Sequence, residues 1–475
     1  MTTGQEEDAQ QKAGEHNGII LWQWLMNHRQ LGMAALLVIL PPVFFYTILF
    51  HTAVNLPIID DYEAILGFVN QSMHQKGILG QLGYLLTSQH NEYKLYVMQA
   101  VVWLQYRACG HIDFRILSAI GNSFVLLLGI LLWKLFLPGH KELVSRLMYF
   151  VPVSLLLFQL QEAENLNWAA SALQHVAVLF FAFSAIYLLA KGGWSQLVAA
   201  LGLLALAIFS DGNGVLLIPI GLLILGMNRR WAGVTCWLAA SAGSLLLYAH
   251  HYNVQSSQSR MHDSVFTTVT RLNPLFALSV IGSAGGVPFA AGSIVLGVAL
   301  CIFFLNMARR GYYRRNPIIS YCVLFLLLTA AGVAALRSDF GVAYSLHTRY
   351  MAYSSLLLIF AWFAVVEEFL QHRRAELFHN DLFLCSLLAA FAFSAFMDLY
   401  GWTQINGRNR KLEHSMAAFE DKSAPEDDGA PGPRSLLTDD RAIADAYNQQ
   451  ARAYLLEAMQ NGIYQPPACK SGNAH

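Results

Sequence analysis

Charge is what this chain has least of. Only 13% of its 475 residues are Asp, Glu, Lys or Arg, against about 25% in an ordinary soluble domain. The 30 basic and 30 acidic side chains balance, which leaves no basic footprint for nucleic acid. Cysteine is sparse too: six residues, scattered, without a CxxC pair. That argues against a zinc site and against a disulfide framework. The N-terminus, MTTGQEEDAQQKAGEHNG, is polar and acidic. It lacks the basic start of a cleaved signal peptide, so the first apolar run is expected to be retained as a helix.

What is abundant is apolar. Hydrophobic residues make up 56% of the chain, and mean hydropathy is +0.43. Long apolar runs recur, and a helix of about 20 residues crosses the hydrocarbon core. The reading is an all-α polytopic membrane protein with about 11 transmembrane helices. The expected spans are 31–50, 113–135, 147–161, 168–190, 194–210, 213–227, 231–249, 289–307, 317–336, 349–368 and 381–400. The run 95–106 is too short to cross and is read as a juxtamembrane helix of the first outer loop; 273–289, broken by Gly and Pro, is read as a second peripheral one.

Lys and Arg gather in 133–146, 228–231, 308–316 and 372–376. The positive-inside rule places those loops in the cytoplasm, with the N-terminus inside and the C-terminus outside. Three regions follow: a cytoplasmic segment 1–30, a transmembrane domain 31–400 with outer loop 51–112, and an extracytoplasmic linker and C-terminal helix over 401–475. Within the last region, Ile443, Tyr447, Ala451, Leu455 and Met459 recur at helical spacing, Thr438 or Asp439 suits an N-cap, and Gly462 a stop. One helix cannot bury that stripe alone, so it is expected to dock on the outer side of the membrane domain.

The same topology puts the acids on one face: Asp60, Asp61, Glu92, Glu162, Glu164, Asp211 and Asp339. The first outer loop holds IIDDYE, with Asp60, Asp61 and Glu63, and HNEYK, with His90, Glu92 and Lys94. Carboxylates beside His and Lys suit general-base chemistry and binding of an anion. QEAENLNW carries Glu162 and Glu164. With Asp60 these are hard oxygen ligands of the kind that suit Mg or Mn, although no spacing demands a metal. SLHTRY brings His347, Arg349 and Tyr350 to the start of an apolar run, where an arginine can meet a lipid phosphate. Asp211 in SDGNG reads as a helix N-cap.

DDYE, then HNEYK opening an apolar juxtamembrane helix, then GHIDFRILSAIGNSFVLLLGILLWKLF resembles the GT-C superfamily of integral membrane glycosyltransferases. FSDGNGVLLIPIGLLIL (209–225) and SLHTRYMAYSSLLLIFAWF (345–363) are similar to bacterial membrane proteins assigned to it. The chain departs from the aminoarabinose and protein O-mannosyl transferases by having HNEYK where those carry a Pro-Pro pair, which leaves the acceptor class open.

The resemblance implies a bacterial inner-membrane enzyme with a periplasmic site. Its donor would be a sugar on a polyprenyl phosphate, and its acceptor a hydroxyl of a cell-surface glycan or glycolipid. A carboxylate of DDYE would act as base, Asp61 placed ahead of Asp60, in a single inverting displacement. Glu92, Lys94, His90, Glu162, Glu164, His347, Arg349 and Tyr350 would bind substrate. Membrane lipid would be the surrounding partner, with separate enzymes to charge and flip the carrier. A transporter or flippase of a lipid-linked sugar, or a glycan polymerase or ligase, are the rival readings. The near absence of Asp, Glu, Lys and Arg from the middles of the apolar runs weighs against a transporter.

Overall fold

The computed structural model describes residues 29–136, 143–254, 272–287, 289–371, 376–420 and 441–467. Among the described residues the chain is helical, with no strand. One isolated antiparallel bridge, His90 to Tyr93, closes the turn that carries HNEYK. The helices are α1 Arg29–Thr52, α2 Phe68–Met73, α3 Gly77–Thr87, α4 Tyr96–Cys109, α5 Phe114–Leu135, α6 Leu143–Leu157, α7 Ala163–Asn167, α8 Ala169–Lys191 and α9 Trp194–Ile208. They continue as α10 Leu217–Met227, α11 Trp231–Ala249, α12 Pro274–Ile281, α13 Ala290–Arg309, α14 Pro317–Arg337, α15 Met351–Gln371, α16 Glu376–Glu420 and α17 Arg441–Gln460.

Eight of these, α1, α5, α8, α11, α13, α14, α15 and α16, are long and apolar enough among the described residues to cross a membrane. The chain is a multi-pass α-helical membrane protein. Three shorter apolar helices, Leu143–Leu157, Trp194–Ile208 and Gly212–Met227, stand where the sequence placed three further spans.

The segment between α1 and α5 folds as α2, α3 and α4. α4 is 14 residues long and buries Gln99 and Gln105. These polar groups are matched inside the protein: Ser88 Oγ donates to Gln99 Oε1 at 2.7 Å and Gln105 Nε2 to the Asp113 carbonyl at 2.9 Å. α12 has eight residues, too few to cross, and packs on α13 through a hydroxyl pair, Ser279 to Ser293, 2.6 Å apart.

The C-terminal helix docks on this loop. Ala451, Leu455 and Ala458 are buried, and Met459 is partly buried against the core. Tyr464, fully buried, donates its hydroxyl to the Asn55 carbonyl at 2.6 Å, and the Ile463 carbonyl accepts from Ile112 N at 2.8 Å. Gly462 ends the helix at a left-handed φ of 67°. Thr438 and Asp439, the N-cap candidates, lie outside the described residues, as do residues 1–28 and the Gly- and Pro-containing part of the linker.

One boundary moves. The domain limit at 400/401 falls inside α16, which runs unbroken to Glu420. Gly401 is where this helix crosses the turn after α6: a Cβ there would stand 2.0 Å from the Leu160 carbonyl oxygen. Leu160 N also donates to Asp398 Oδ1 at 2.9 Å. Gly401→Val should therefore push α16 off that turn and destabilise the fold by about 1–3 kcal/mol, the usual range for overpacking. A lowered thermal midpoint of the detergent-purified protein is expected. An unchanged midpoint would contradict this packing.

Candidate functional site

A helix begins with N–H groups that have no partner in the helix, and at a membrane surface these must be matched. Asn273 and Asn316 do so for α12 and α14, and at four other starts carboxylates match them. Asp113 caps α5, accepting from Arg115 N at 2.9 Å. Asp211 caps the 3₁₀ turn Gly212–Leu216 that leads into α10, accepting from Gly212 N at 2.7 Å, which bears out its reading as an N-cap. Two others act across the fold. α8 is preceded by Trp168, which offers no capping oxygen, and Asp61 supplies one: its Oδ1 accepts from Ala170 N at 3.0 Å. Its Oδ2 accepts from Ile58 N at 3.0 Å. α15 is likewise met by Glu164, whose Oε2 accepts from Arg349 N at 3.1 Å while Oε1 lies 3.1 Å from His347 Nδ1.

These caps bring four segments together. Loop 58–63 sits on the start of α8, and α7 sits on the start of α15. Asn165 links them further, accepting from Ser171 Oγ at 2.7 Å and donating to the Arg349 carbonyl at 3.3 Å. From α16, Arg408 Nη1 donates to the Ala163 carbonyl at 3.2 Å and to Asn167 Oδ1 at 2.8 Å.

The two adjacent aspartates separate by environment. Asp61 is 1% exposed, with both oxygens on backbone N–H groups, and burial pushes its carboxyl up to about 8 against those donors. Asp60 stays 30% exposed and lies 3.4 Å from His90 Nε2. Glu63 holds the other ring nitrogen at 3.3 Å. Burial disfavours charge on His90, but these two carboxylates outweigh it and raise its pKa to about 10. The backbone just before Asp60 is strained: Ile59, β-branched, has φ 42°, a placement that costs about 1–3 kcal/mol and concentrates at functional sites.

Arg349 is the half-buried arm of the α15 cap. Its guanidinium is surrounded by the rings of Tyr350, Trp168 and Tyr344, with centroids at 5.3, 5.8 and 5.9 Å. Nη2 donates to Tyr344 Oη at 2.9 Å. Nε is buried without a hydrogen-bond partner, and among the described residues no carboxylate is within salt-bridge reach of this guanidinium. Its charge still acts on Glu164 and Asp211. Burial works to raise Glu164, but the His347 hydrogen bond and the Arg349 charge hold it well below the ordinary carboxylate range. Glu162, two residues earlier, has only a 3.4 Å contact from Asn165 Nδ2, and burial pushes it up to about 7.

Two of the sequence candidates turn to structural work. Glu92 is buried in an ion pair with Arg337, which also donates to Tyr93 Oη at 3.3 Å. Lys94 is buried and spends its ammonium on the Thr87 and His251 carbonyls at 2.8 and 3.3 Å, and burial lowers its pKa. Tyr350 is buried as one wall around Arg349. Among the described residues no three His, Cys, Asp or Glu side chains are placed to hold a metal ion. Sequence reasoning passed over His175, which pairs with Asp211 through Nδ1 at 2.7 Å. The available signal was an ionisable side chain within an otherwise apolar span.

Scans of the chain against protein-family models, curated proteins and solved structures find no match.

The His90 pairing has a pH signature. Its pKa is raised on folding from the ordinary 6.5 to about 10. A raised folded value stabilises the fold fully below the unfolded pKa, and that contribution is lost as pH rises through the folded one. The thermal-midpoint advantage of the wild type over His90→Gln should be largest below about pH 6.5 and shrink toward about pH 10. An advantage independent of pH would exclude the charged pairing.

Proposed function

We propose that this protein is a GT-C-type glycosyltransferase that moves a sugar from a polyprenyl-phosphate carrier to a hydroxyl of a cell-surface glycan or glycolipid. One observation carries the reading: a partly exposed carboxylate, Asp60, beside a charged His90, in the same cluster of helix starts as an aromatic-walled guanidinium, Arg349, with a buried N–H to spare. That is the pair of charges such a transfer needs. The carboxylate receives a proton, and the cation receives a departing phosphate.

In this mechanism Asp60, not Asp61, is the base. The acceptor oxygen attacks the anomeric carbon while Asp60 removes its proton. The bond to the phosphate oxygen breaks on the opposite side, so the configuration inverts. Arg349 and His347 hold the phosphate, with Tyr344 and Tyr350 fixing the guanidinium. Glu162, near 7, accepts hydrogen bonds from acceptor hydroxyls. Asp61 and Glu164 hold the two helix starts in register.

The topology that goes with this reading has all eight long helices and the three shorter apolar ones crossing, about 11 in all. It places the acidic helix starts on the periplasmic face of a bacterial inner membrane. The basic segment with Arg309, Arg310, Arg314 and Arg315 then faces the cytoplasm, where Arg315 pairs with Glu368 at 2.7 Å.

The test is the intact mass of surface glycans in the source cell. Deletion should remove one sugar residue and cause the lipid-linked donor to accumulate. Asp60→Asn at wild-type membrane abundance should reproduce the deletion. Asp61→Asn should instead lower abundance, since one buried N–H loses its acceptor at about 1–3 kcal/mol. Unchanged glycans in the deletion strain would sink the transferase reading.

A further inference from the structure

His175 lies in a π-helical turn, Ala172–Val176, inside α8. Such widened turns recur at functional sites. A second one, Tyr62–Gly67, directly follows Asp61, so both flank the Asp61–Ala170 hydrogen bond. Opposite His175, Asp211 is committed on both oxygens: Oδ1 accepts from Gly212 N at 2.7 Å and Oδ2 faces His175 Nδ1 at 2.7 Å. A carboxylate at Nδ1 fixes the tautomer and leaves Nε2 to give or take a proton. Among the described residues Nε2 has no hydrogen-bond partner, and the side chain is 16% exposed. Asp211 also feels the charge of Arg349, so the pair belongs to the same cluster.

Position along α8 separates it from the base. Asp61 binds the first turn at Ala170, and His175 comes five residues later, about 7.5 Å further along the axis at about 1.5 Å per residue. Asp60 therefore stands at the surface end of α8 and His175 on its membrane side. An inverting displacement requires its attacking and leaving groups on opposite sides of one carbon. A doubly negative phosphate leaving beside hydrocarbon is also poorly solvated, and a proton halves that charge.

We propose that His175, oriented by Asp211, donates the proton to the phosphate oxygen that leaves the sugar; this rests on the transferase reading above. The acceptor oxygen forms its bond to the anomeric carbon and gives its proton to Asp60. The bond from that carbon to the phosphate oxygen breaks, and its electron pair stays on the oxygen. Imidazolium His175 passes its Nε2 proton there. Asp60 ends protonated and His175 neutral, and exchange with water resets both.

The experiment uses full-length protein in membranes of the deletion strain. The probe donor is the lipid-linked sugar extracted from that strain, and the acceptor is its own under-modified glycan. His175→Asn keeps a side-chain N–H for Asp211 but cannot deliver a proton; His175→Ala opens room for added imidazole. Both should slow transfer on the order of 100-fold or more, and imidazole should restore part of the rate to His175→Ala but none to His175→Asn. Transfer by His175→Asn near the wild-type rate would reduce the pair to a structural tie and overturn the proposal. So would failure of imidazole to raise the rate of His175→Ala, the reading that decides if the Asn variant does not fold. These outcomes presuppose that deletion removes a sugar; if it does not, the transferase reading falls first and this proposal with it.

Discussion

The interaction on which the rest depends is a carboxylate held against the first N–H groups of a helix. Four segments are met this way at their starts, by Asp113, Asp61, Asp211 and Glu164. The positive end of a helix dipole favours such placement, and its unpaired N–H groups require an acceptor wherever water is scarce. The gathering of acids on one face therefore has a cause that is independent of chemistry. Helices that begin on that face draw acids to it, and two of the four caps come from distant chain, which turns capping into tertiary structure.

That cause sorts the acids. Asp61 and Glu164 hold helices in place, Glu92 is neutralised by Arg337, and Asp211 divides itself between a helix start and His175. Asp60 and Glu162 stand beside these caps, Asp60 against His90 and Glu162 against Asn165. Strain at Ile59 fits the same division: its neighbour Asp61 is pinned at both oxygens, and the backbone turns sharply so that Asp60 points elsewhere.

Much of the architecture was legible in the sequence. Long apolar runs located the eight helices of membrane-crossing length and hydropathy, the short run at 95–106 gave a packed loop helix, and Gly462 stopped the last helix. The Asp211 cap was legible because donor and acceptor are adjacent in SDGNG. The Asp61 cap was not, because Ala170 is 109 residues away and nothing local distinguishes Asp61 from Asp60. The extension of α16 past 400 was hidden by LYGWTQINGRNRKLEH, whose glycines and charges read as loop. In the fold, Gly401 is needed for a close crossing, and Arg408 and Asn409 point into the α7 cluster. His175 was overlooked because a lone histidine in an apolar run has no sequence partner; its partner is made by the fold.

On the proposed function, the chemistry occurs among these helix starts, between Asp60 and Arg349. The most direct measurement is a cryo-electron microscopy structure of the full chain with lipid-linked sugar extracted from the deletion strain. Phosphate density is expected against the Arg349 guanidinium, with the sugar between it and Asp60. Phosphate bound instead at the opposite end, against Arg309, Arg310 and Arg314, would contradict the proposed function.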